Sequence, residues 1–201
     1  MEKLHCLPVG LTCALLVVAL FGCKPAPRDA DGAPAVGSAA AQSLTQTFSW
    51  QGLTLRHPSN YVVSDKEYDG ETYTFCCEIE GDDISLCNVS IRKDKVFRAV
   101  PGLLSDGDVL EVLEEGVEHC SDYLRSMDDY SDLHFGKTES ETSGRYPTVM
   151  REFDGKLLGI SLSGKMIAFI GSGKLVVVML QAGNGSYMQT LLAIADSIRL
   201  E

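Results

Sequence analysis

Apolar and polar residues alternate along much of the chain after residue 45, and this alternation predicts a β-sheet. The segments 45–50 and 53–58 both follow it and are separated by a two-residue turn at 51–52. A period of two places apolar side chains on one face of a strand. We therefore expect two short strands joined by a tight turn. A third extended piece follows at 61–63, and a polar loop follows it at 65–70.

The clearest hairpin lies between residues 73 and 92, around a polar turn at 80–83. Its register can be predicted, because pairing residues whose numbers sum to 164 keeps both apolar sets on one face, whereas a slip by one residue exposes one set. The predicted pairs are Tyr73 with Ile91, Phe75 with Val89, and Cys77 with Cys87.

The segment from Ser105 has the apolar period of a helix. Ser105 followed by Asp108 is typical of a helix start. The apolar stripe comprises Val109, Leu113, Val117, Cys120, Leu124 and Met127. We expect this helix to cover the apolar face of the hairpin.

The C-terminal third predicts a meander of antiparallel strands from runs at 148–154, 159–171 and 174–181. Expected turns are Asp154-Gly155, Ser163-Gly164 and Ser172-Gly173. Residues 175–180 are continuously apolar, so we expect a central strand that is buried on both faces. A final helix, capped by Asn184 or Ser186, has an apolar stripe of Tyr187, Leu191, Ile194 and Ile198. The predicted fold class is α+β, an antiparallel sheet with helices packed on it.

The N-terminal segment has the pattern of an export signal. An apolar run at 11–21 has roughly the length of a secretory signal core and is too short to span a bilayer. Its end, Leu20-Phe21-Gly22-Cys23, resembles the lipobox of a bacterial lipoprotein. The resemblance implies that the preceding peptide is removed and that Cys23 carries acyl chains such as palmitate. The alternative is an ordinary signal peptide that is cut later, in the Ala-rich stretch after Lys24.

A linker rich in Ala, Pro and Gly follows from residue 24 to residue 43, and this composition favours a flexible tether. We therefore divide the chain into a lipoprotein signal peptide (1–22), a lipidated Cys with its tether (23–44) and a single α+β domain (45–201). The residue after the acylated Cys is Lys24 and not Asp. Resemblance to the sorting rule of enteric bacteria then favours the outer membrane of the cell envelope, on its periplasmic side.

The net charge of −11 argues against a nucleic-acid partner and against adhesion to anionic lipid, because both would be repelled. Membrane attachment is therefore expected through the acyl chains on Cys23. The helix that starts at Ser105 has an acidic face, made of Glu111, Glu114, Glu115, Glu118 and Asp122. We interpret it as a solvated face. Calcium binding is the alternative, although residues 128–132 lack the alternating acids and turn Gly of an EF-hand loop.

Known catalytic patterns are missing from the sequence. The histidines of the exported part, His57, His119 and His134, have no zinc-site spacing, and no Gly-x-Ser-x-Gly or phosphate-loop pattern occurs. Cys76-Cys77 is not the Cys-x-x-Cys of thiol oxidoreductases. We therefore expect a protein that is not an enzyme and that holds no metal and no cofactor.

Export permits disulfides, and the exported part contains Cys76, Cys77, Cys87 and Cys120. The hairpin register places Cys77 opposite Cys87, with α-carbons about 4.5–5.5 Å apart, which a disulfide accepts. We predict a disulfide between these two. Cys120 remains a competitor for either, and Cys76 could reach Cys120 only if the helix lies on the other face. Buried free thiols are the further alternative.

The order of elements, with Gly52–Pro58 (Gly-Leu-Thr-Leu-x-His-Pro), Gly173–Leu180 and Ala195–Arg199, resembles the α/β/α sandwich of the PsbP and DcrB superfamily. The resemblance covers about residues 46–200 and implies an accessory, assembly or binding protein. Our leading hypothesis is a lipid-anchored, non-catalytic envelope module that binds a protein or a small ligand through the sheet edge or the acidic helix face. The alternatives are a thiol-redox-responsive envelope protein and an unrecognised hydrolase.

Overall fold

The computed structural model describes residues 42–82, 84–93, 106–141, 145–183 and 185–201. The predictions for the signal peptide, Cys23, nearly all of the tether, Ser105 and Asn184 therefore lie outside the described residues. The strands are β1 (Gln46–Trp50), β2 (Leu53–His57), β3 (Tyr61–Tyr68), β4 (Thr72–Ile79), β5 (Leu86–Lys93), β6 (Tyr130–Glu141), β7 (Thr148–Leu157), β8 (Ile160–Gly171), β9 (Lys174–Ala182) and β10 (Arg199–Leu200). The helices are α1 (Asp106–Ser126) and α2 (Gly185–Asp196).

The strands form two antiparallel sheets. The larger sheet has the order β3-β4-β5-β9-β8-β7-β6, and the smaller one has the order β1-β2-β10. Gln51 and Gly52 turn the chain between β1 and β2 with φ values of 53° and 70°, as a tight hairpin requires. The ammonium group of Lys174 on β9 joins the two sheets, because it donates to the main-chain oxygens of Gly52 (2.8 Å) and Glu201 (2.9 Å).

The predicted hairpin register is confirmed. Tyr73 pairs with Ile91, Phe75 with Val89 and Cys77 with Cys87 across β4 and β5. The central strand is confirmed as well, because β9 lies between β5 and β8 and most of its residues are buried. Antiparallel sheets with two helices among the described residues agree with the predicted α+β class.

The two helices belong to different cores on opposite faces of β9. Leu113 and Val117 of α1 pack in a cluster with Leu175 of β9, while Leu191 and Ile194 of α2 pack in another cluster with Val176, Val178 and Leu180. Successive residues of a strand point to opposite faces. The two helices therefore contact β9 from opposite faces.

The helix predicted to cover the hairpin is the wrong one. The hairpin residues Phe75, Cys77 and Val89 share the cluster of α2, together with Leu53 and Leu55 of the small sheet. Helix α1 packs instead on the other face, where it meets β6, β7 and β8. Alternation shows which face of a hairpin is apolar, but both helices offer an apolar stripe, so the pattern does not choose between them.

Two of the predicted turns are wrong. Asp154-Gly155 and Ser163-Gly164 lie inside β7 and β8, and the chain reverses instead at Leu158-Gly159, where φ is 50° and 83°. The turn at Ser172-Gly173 is confirmed, with φ values of 49° and 68°.

The prediction of a polar loop at 65–70 is wrong for residues 65–68, which belong to a strand. Strand β3 runs to Tyr68 through an irregularity between Ser64 and Glu67, where Asp65 has a φ of 50°. Strand β6 was not predicted at all. None of the helices among the described residues has both the length and the apolar character needed to cross a membrane.

Candidate functional site

A cleft of about 300 Å³ lies beside α2, over β7 and β8 of the large sheet. Helix α2 packs mainly against β9, β5 and β2, so it lies toward the other side of this face. The cleft is lined by Glu141, Arg145, Tyr146, Thr148, Met150, Ile167, Phe169, Val178, Ala195, Asp196, Ile198 and Arg199. A concave, partly apolar site with a few polar groups is the usual form of a ligand site.

The sheet supplies an apolar floor to the cleft. Met150, Ile167 and Val178 are direct cross-strand partners on β7, β8 and β9, so they form one row across the sheet. Phe169 lies two residues from Ile167 on the same face. Val178 is fully buried, whereas Met150 and Ile167 are half-buried. The row therefore presents apolar surface that the protein itself does not fully cover.

Tyr146 forms a wall of the cleft and is held in place by its neighbours. Its ring stacks on Phe169 with centroids 5.3 Å apart and an interplanar angle of 14°. A Cβ atom at Gly171 would lie 2.5 Å from the Tyr146 ring, so this position leaves no room for a side chain. The hydroxyl of Thr148 also donates to the main-chain oxygen of Tyr146 at 2.9 Å.

The polar end of the cleft is built at the C-terminus of α2. The Nη1 group of Arg199 donates to the main-chain oxygens of Asp196 and Ile198, both at 2.7 Å. The hydroxyl of Ser197 donates to the main-chain oxygen of Ile194 at 2.6 Å. The bonds to Ile194 and Asp196 satisfy carbonyl groups that a helix end leaves without intrahelical partners. Among the described residues, the other charged members of the lining are Arg145, Glu141 and Asp196, so this part of the lining has two groups of each sign.

The predicted cysteine pair lies on the α2 face of the hairpin. Cys77 and Cys87 are fully buried and directly opposite, and in this structure both are free thiols. Burial raises the pKa of Cys77 to about 12, and burial also raises the pKa of Cys87 well above its usual range. Both sulfurs are therefore protonated at neutral pH. The pairing is confirmed, and the disulfide stays a prediction.

Cys76 faces the α1 side of the sheet, and so does Cys120. Burial raises the pKa of Tyr130 to about 12, with smaller contributions from Cys120 and Cys76 and an opposing hydrogen bond from its hydroxyl to Gln181 at 2.7 Å. Helix α1 lies on the opposite face of the sheet from the one predicted. The cysteine that shares a face with Cys120 is therefore Cys76, and not Cys77 or Cys87.

Part of the acidic face of α1 is engaged in ion pairs. Glu118 accepts from Arg151 Nη1 on β7 at 2.5 Å and from Arg125 at 3.3 Å, and Arg125 also pairs with Asp122 at 2.6 Å. The hydrogen bond from Arg151 lowers the pKa of Glu118. Glu111, Glu114 and Glu115 are exposed, as expected of a solvated face.

The remaining predicted residues are not brought together. Asp132 pairs with Lys156 at 2.8 Å, His57 Nδ1 lies 2.9 Å from the main-chain oxygen of Pro58, and His134 lies 3.5 Å from Asp154. His119 is exposed on α1. Within the described ranges, no three His, Cys, Asp or Glu side chains are placed so that they could hold a metal ion.

Comparison with known proteins identifies the fold. No family model matches the chain, and no curated protein matches it. Among solved structures, cyanobacterial PsbP (CyanoP) from Synechocystis sp. PCC 6803 superposes with a TM-score of 0.55 at 13% identity, covering 85% of this chain and 98% of that one. The fold is PsbP-like. The resemblance predicted from the sequence is thereby confirmed at the level of fold.

A second solved structure, a Pseudomonas aeruginosa protein of unknown function, has a TM-score of 0.37 at 9% identity and covers 75% of this chain and 91% of that one. At such identities the PsbP-like likeness concerns the fold alone, and function must be argued from the residues of this chain.

The cleft was not found from the sequence. Its floor residues Met150, Ile167 and Phe169 have the alternation of ordinary core residues, and Arg145 and Arg199 are far apart in the chain. The one available signal was the stretch Ala195–Arg199, which carried the family resemblance and also supplies the polar end of the cleft.

Proposed function

We propose that this chain is a lipid-anchored, non-catalytic module of the bacterial cell envelope, and that the cleft beside α2 is its ligand-binding site. The observation that carries the proposal is the row of Met150, Ile167 and Val178, which leaves apolar surface open beside four charged side chains. Apolar surface next to convergent polar groups favours binding of a molecule that has both characters.

The whole chain then has three parts. Residues 1–22 are the signal peptide, residues 23–44 are the lipidated Cys and its tether, and residues 45–201 are the domain, an α/β/α sandwich in its full description. Packing of one helix on each face of β9 supports the three-layer arrangement. Acyl chains on Cys23 would hold the protein on the periplasmic side of the outer membrane, where its partner is an envelope protein or a small ligand.

A binding role agrees with the groups that line the cleft. The guanidinium groups of Arg145 and Arg199 can hold an anionic group, and the carboxylate groups of Glu141 and Asp196 can hold a cationic one. The PsbP-like fold, whose resemblance implies accessory proteins, adds support at the level of analogy.

A cleft-filling substitution tests the proposal. Ile167→Trp places a large ring on the floor, and the control Ile160→Trp changes a residue that is 53% exposed near the β7–β8 turn. The full chain and both variants would be screened with a metabolite library by thermal shift, after the midpoints without ligand are recorded.

We expect at least one compound to stabilise the wild type and Ile160→Trp but not Ile167→Trp. Stabilisation that survives Ile167→Trp would place the site elsewhere. Conversion of any compound by the wild type, measured by mass spectrometry of the same mixtures, would contradict the non-catalytic role.

A thiol-redox response is the second candidate, and the direct opposition of Cys77 and Cys87 favours it. Oxidation of both thiols would form one S–S bond and release two protons and two electrons to a disulfide-bearing oxidant. Counting free thiols in protein isolated from envelopes, with and without reductant, tests this candidate. Equal counts would exclude it.

A further inference from the structure

Building on the proposed function, we infer that the cleft binds a zwitterion with an apolar side chain, about the size of a dipeptide. Three features of the lining favour this ligand, namely its balanced charge, a fixed arginine at a capped helix end, and an apolar floor.

The charge of the lining is balanced, whereas the charge of the chain is not. The sequence has 28 acidic and 17 basic residues, yet the cleft brings Arg145 and Arg199 together with Glu141 and Asp196. A ligand with a single charge would meet like charges as well as opposite ones, and like-charge contacts cost binding energy. A ligand that carries both signs can be complementary to all of the lining.

The arginine at the helix end is fixed in advance. Nη1 of Arg199 is held by two main-chain oxygens, so the planar guanidinium has a set orientation. Its other edge carries the remaining N–H donors, which match the two oxygens of a carboxylate. A fixed donor loses less conformational freedom when it binds. Arg199 is therefore suited to the anionic end of the ligand.

The helix end itself does not compete for the cationic end of the ligand. Each of the last four carbonyl groups of α2 already accepts a hydrogen bond. Ser197 N donates to Ala193 and Ile194, and Ser197 Oγ also donates to Ile194. Ile198 N donates to Ala195, and Arg199 Nη1 donates to Asp196. The group left to receive an ammonium at this end is the carboxylate of Asp196, an exposed residue that lines the cleft.

The apolar floor sets the rest of the ligand. Met150 and Ile167 are half-buried on the sheet, and burying them further under an aliphatic side chain removes apolar surface from water. A volume of about 300 Å³ is at the lower end for ligand sites. A dipeptide with aliphatic side chains has the matching size and both charges.

Calorimetric titration of the full chain tests the ligand class with four probes. Leucyl-leucine has both charges, its N-acetyl form has only the anion, its C-terminal amide has only the cation, and glycyl-glycine has both charges without apolar side chains. We expect leucyl-leucine to bind at least about tenfold more tightly than each of the other three, since each probe lacks one matched group.

Charge-removing variants assign the two ends. Asp196→Asn should weaken leucyl-leucine about tenfold and should not weaken the N-acetyl form. Arg145→Gln, which removes the other cation of the lining, should weaken leucyl-leucine and should not weaken the amide. Arg199 is left intact because it also caps α2. Glu152→Gln, on β7 but outside the lining, is the control and should change nothing.

The outcomes separate the two proposals. Binding of the N-acetyl form or the amide as tightly as leucyl-leucine would overturn the zwitterion. The zwitterion is also overturned if leucyl-leucine does not bind while another compound binds the wild type but not Ile167→Trp. In that case the proposed function still stands. If no compound of any class binds in that way, both proposals fail.

Discussion

Gly164 shows how one residue decides the packing of a strand. A Cβ atom there would lie 2.1 Å from Cζ of Phe153 and 2.6 Å from the main-chain oxygen of Leu180. Gly155 on β7 is similar, since a Cβ would lie 2.8 Å from Leu133 and 3.1 Å from the oxygen of Ser131. Both glycines are close-approach positions of the sheet. Because Asp154 and Ser163 precede these glycines, the two dipeptides have the sequence pattern of turns.

Gly164→Ala should therefore destabilise the fold by roughly 1–3 kcal/mol or more, because part of the clash is with main chain and cannot be relieved by a side-chain rotation. The matched control is Gly185→Ala, where the added Cβ meets no atom within 4 Å. Urea unfolding followed by tryptophan fluorescence measures both. Equal stabilities of the two variants would contradict the packing role of Gly164.

Glu118 links stability to pH through its hydrogen bond with Arg151. The bond lowers the pKa of Glu118 from its ordinary 4.5, so its contribution to stability is complete above that value and is lost as the pH falls through the lowered pKa. The side chain of Glu118 is 48% exposed, and solvent screening keeps the effect small.

Glu118→Gln should consequently be less stable than the wild type at pH 7, and the difference should shrink below about pH 4.5 as the wild-type carboxylate becomes protonated. Free energies of unfolding from urea titrations between pH 3 and pH 7 measure it. Glu111→Gln, an exposed position on the same helix, serves as the control. A difference that grows toward acid would contradict the ion pair.

Among the elements, the β4–β5 hairpin predicts an order of thiol reactivity. The thiolate is the reactive form, and burial keeps Cys77 and Cys87 protonated, whereas Cys120 is only half-buried. In reduced, folded protein we expect a maleimide to label Cys120 first, and Cys77 and Cys87 only on unfolding. Mass spectrometry of peptides after timed labelling checks this order.

The same protection decides when a Cys77–Cys87 bond can form. Buried, protonated sulfurs exchange slowly, so oxidation should precede burial by α2. Refolding under oxidising conditions should yield a peptide pair joined through Cys77 and Cys87. Oxidant added to the folded, reduced protein should yield this pair only slowly, and rapid formation there would favour the redox-responsive candidate. A Cys76–Cys120 pair under either condition would show that the α1 face oxidises instead.

Elements with a regular period were predictable from the sequence, and elements with bulges were not. The β4–β5 register followed from alternation alone. Strand β6 was not predicted because register shifts near Ser131 and Phe135 break its period of two. Its edge position also leaves most of its side chains exposed. In the same way, a register shift after Ser64 is the reason that β3 was predicted too short.

The positions of helices, and hence the cleft, required the structure. Both helices have apolar stripes, and β9 has two apolar faces, so the sequence allowed α1 on either side. The position of α2 on the large sheet determines that Ile167 is half-buried and not fully buried. No local sequence pattern specifies how far across the sheet a helix lies.

At the scale of the whole molecule, acylation of Cys23 is the prediction that fixes location. Cys23→Ala should lose labelled palmitate and should leave the membrane fraction, because anionic lipid repels a chain whose net charge is −11. One acyl chain binds only marginally, so at least two are expected. Cys13→Ala, within the apolar run, is the control. Label on Cys23→Ala, or its retention in membranes, would contradict lipidation.

The small sheet also dictates when the protein can finish folding. Strand β2 pairs with β1, which precedes it in the chain, but its other edge is paired only when Arg199 and Leu200 are present. The apolar face of β4 and β5 is likewise covered only when Leu191 and Ile194 pack on it. A chain that emerges N-terminus first therefore carries an open, adhesive surface until its last helix follows. Such long-range closure is slow, and the chain is prone to aggregate until it is complete.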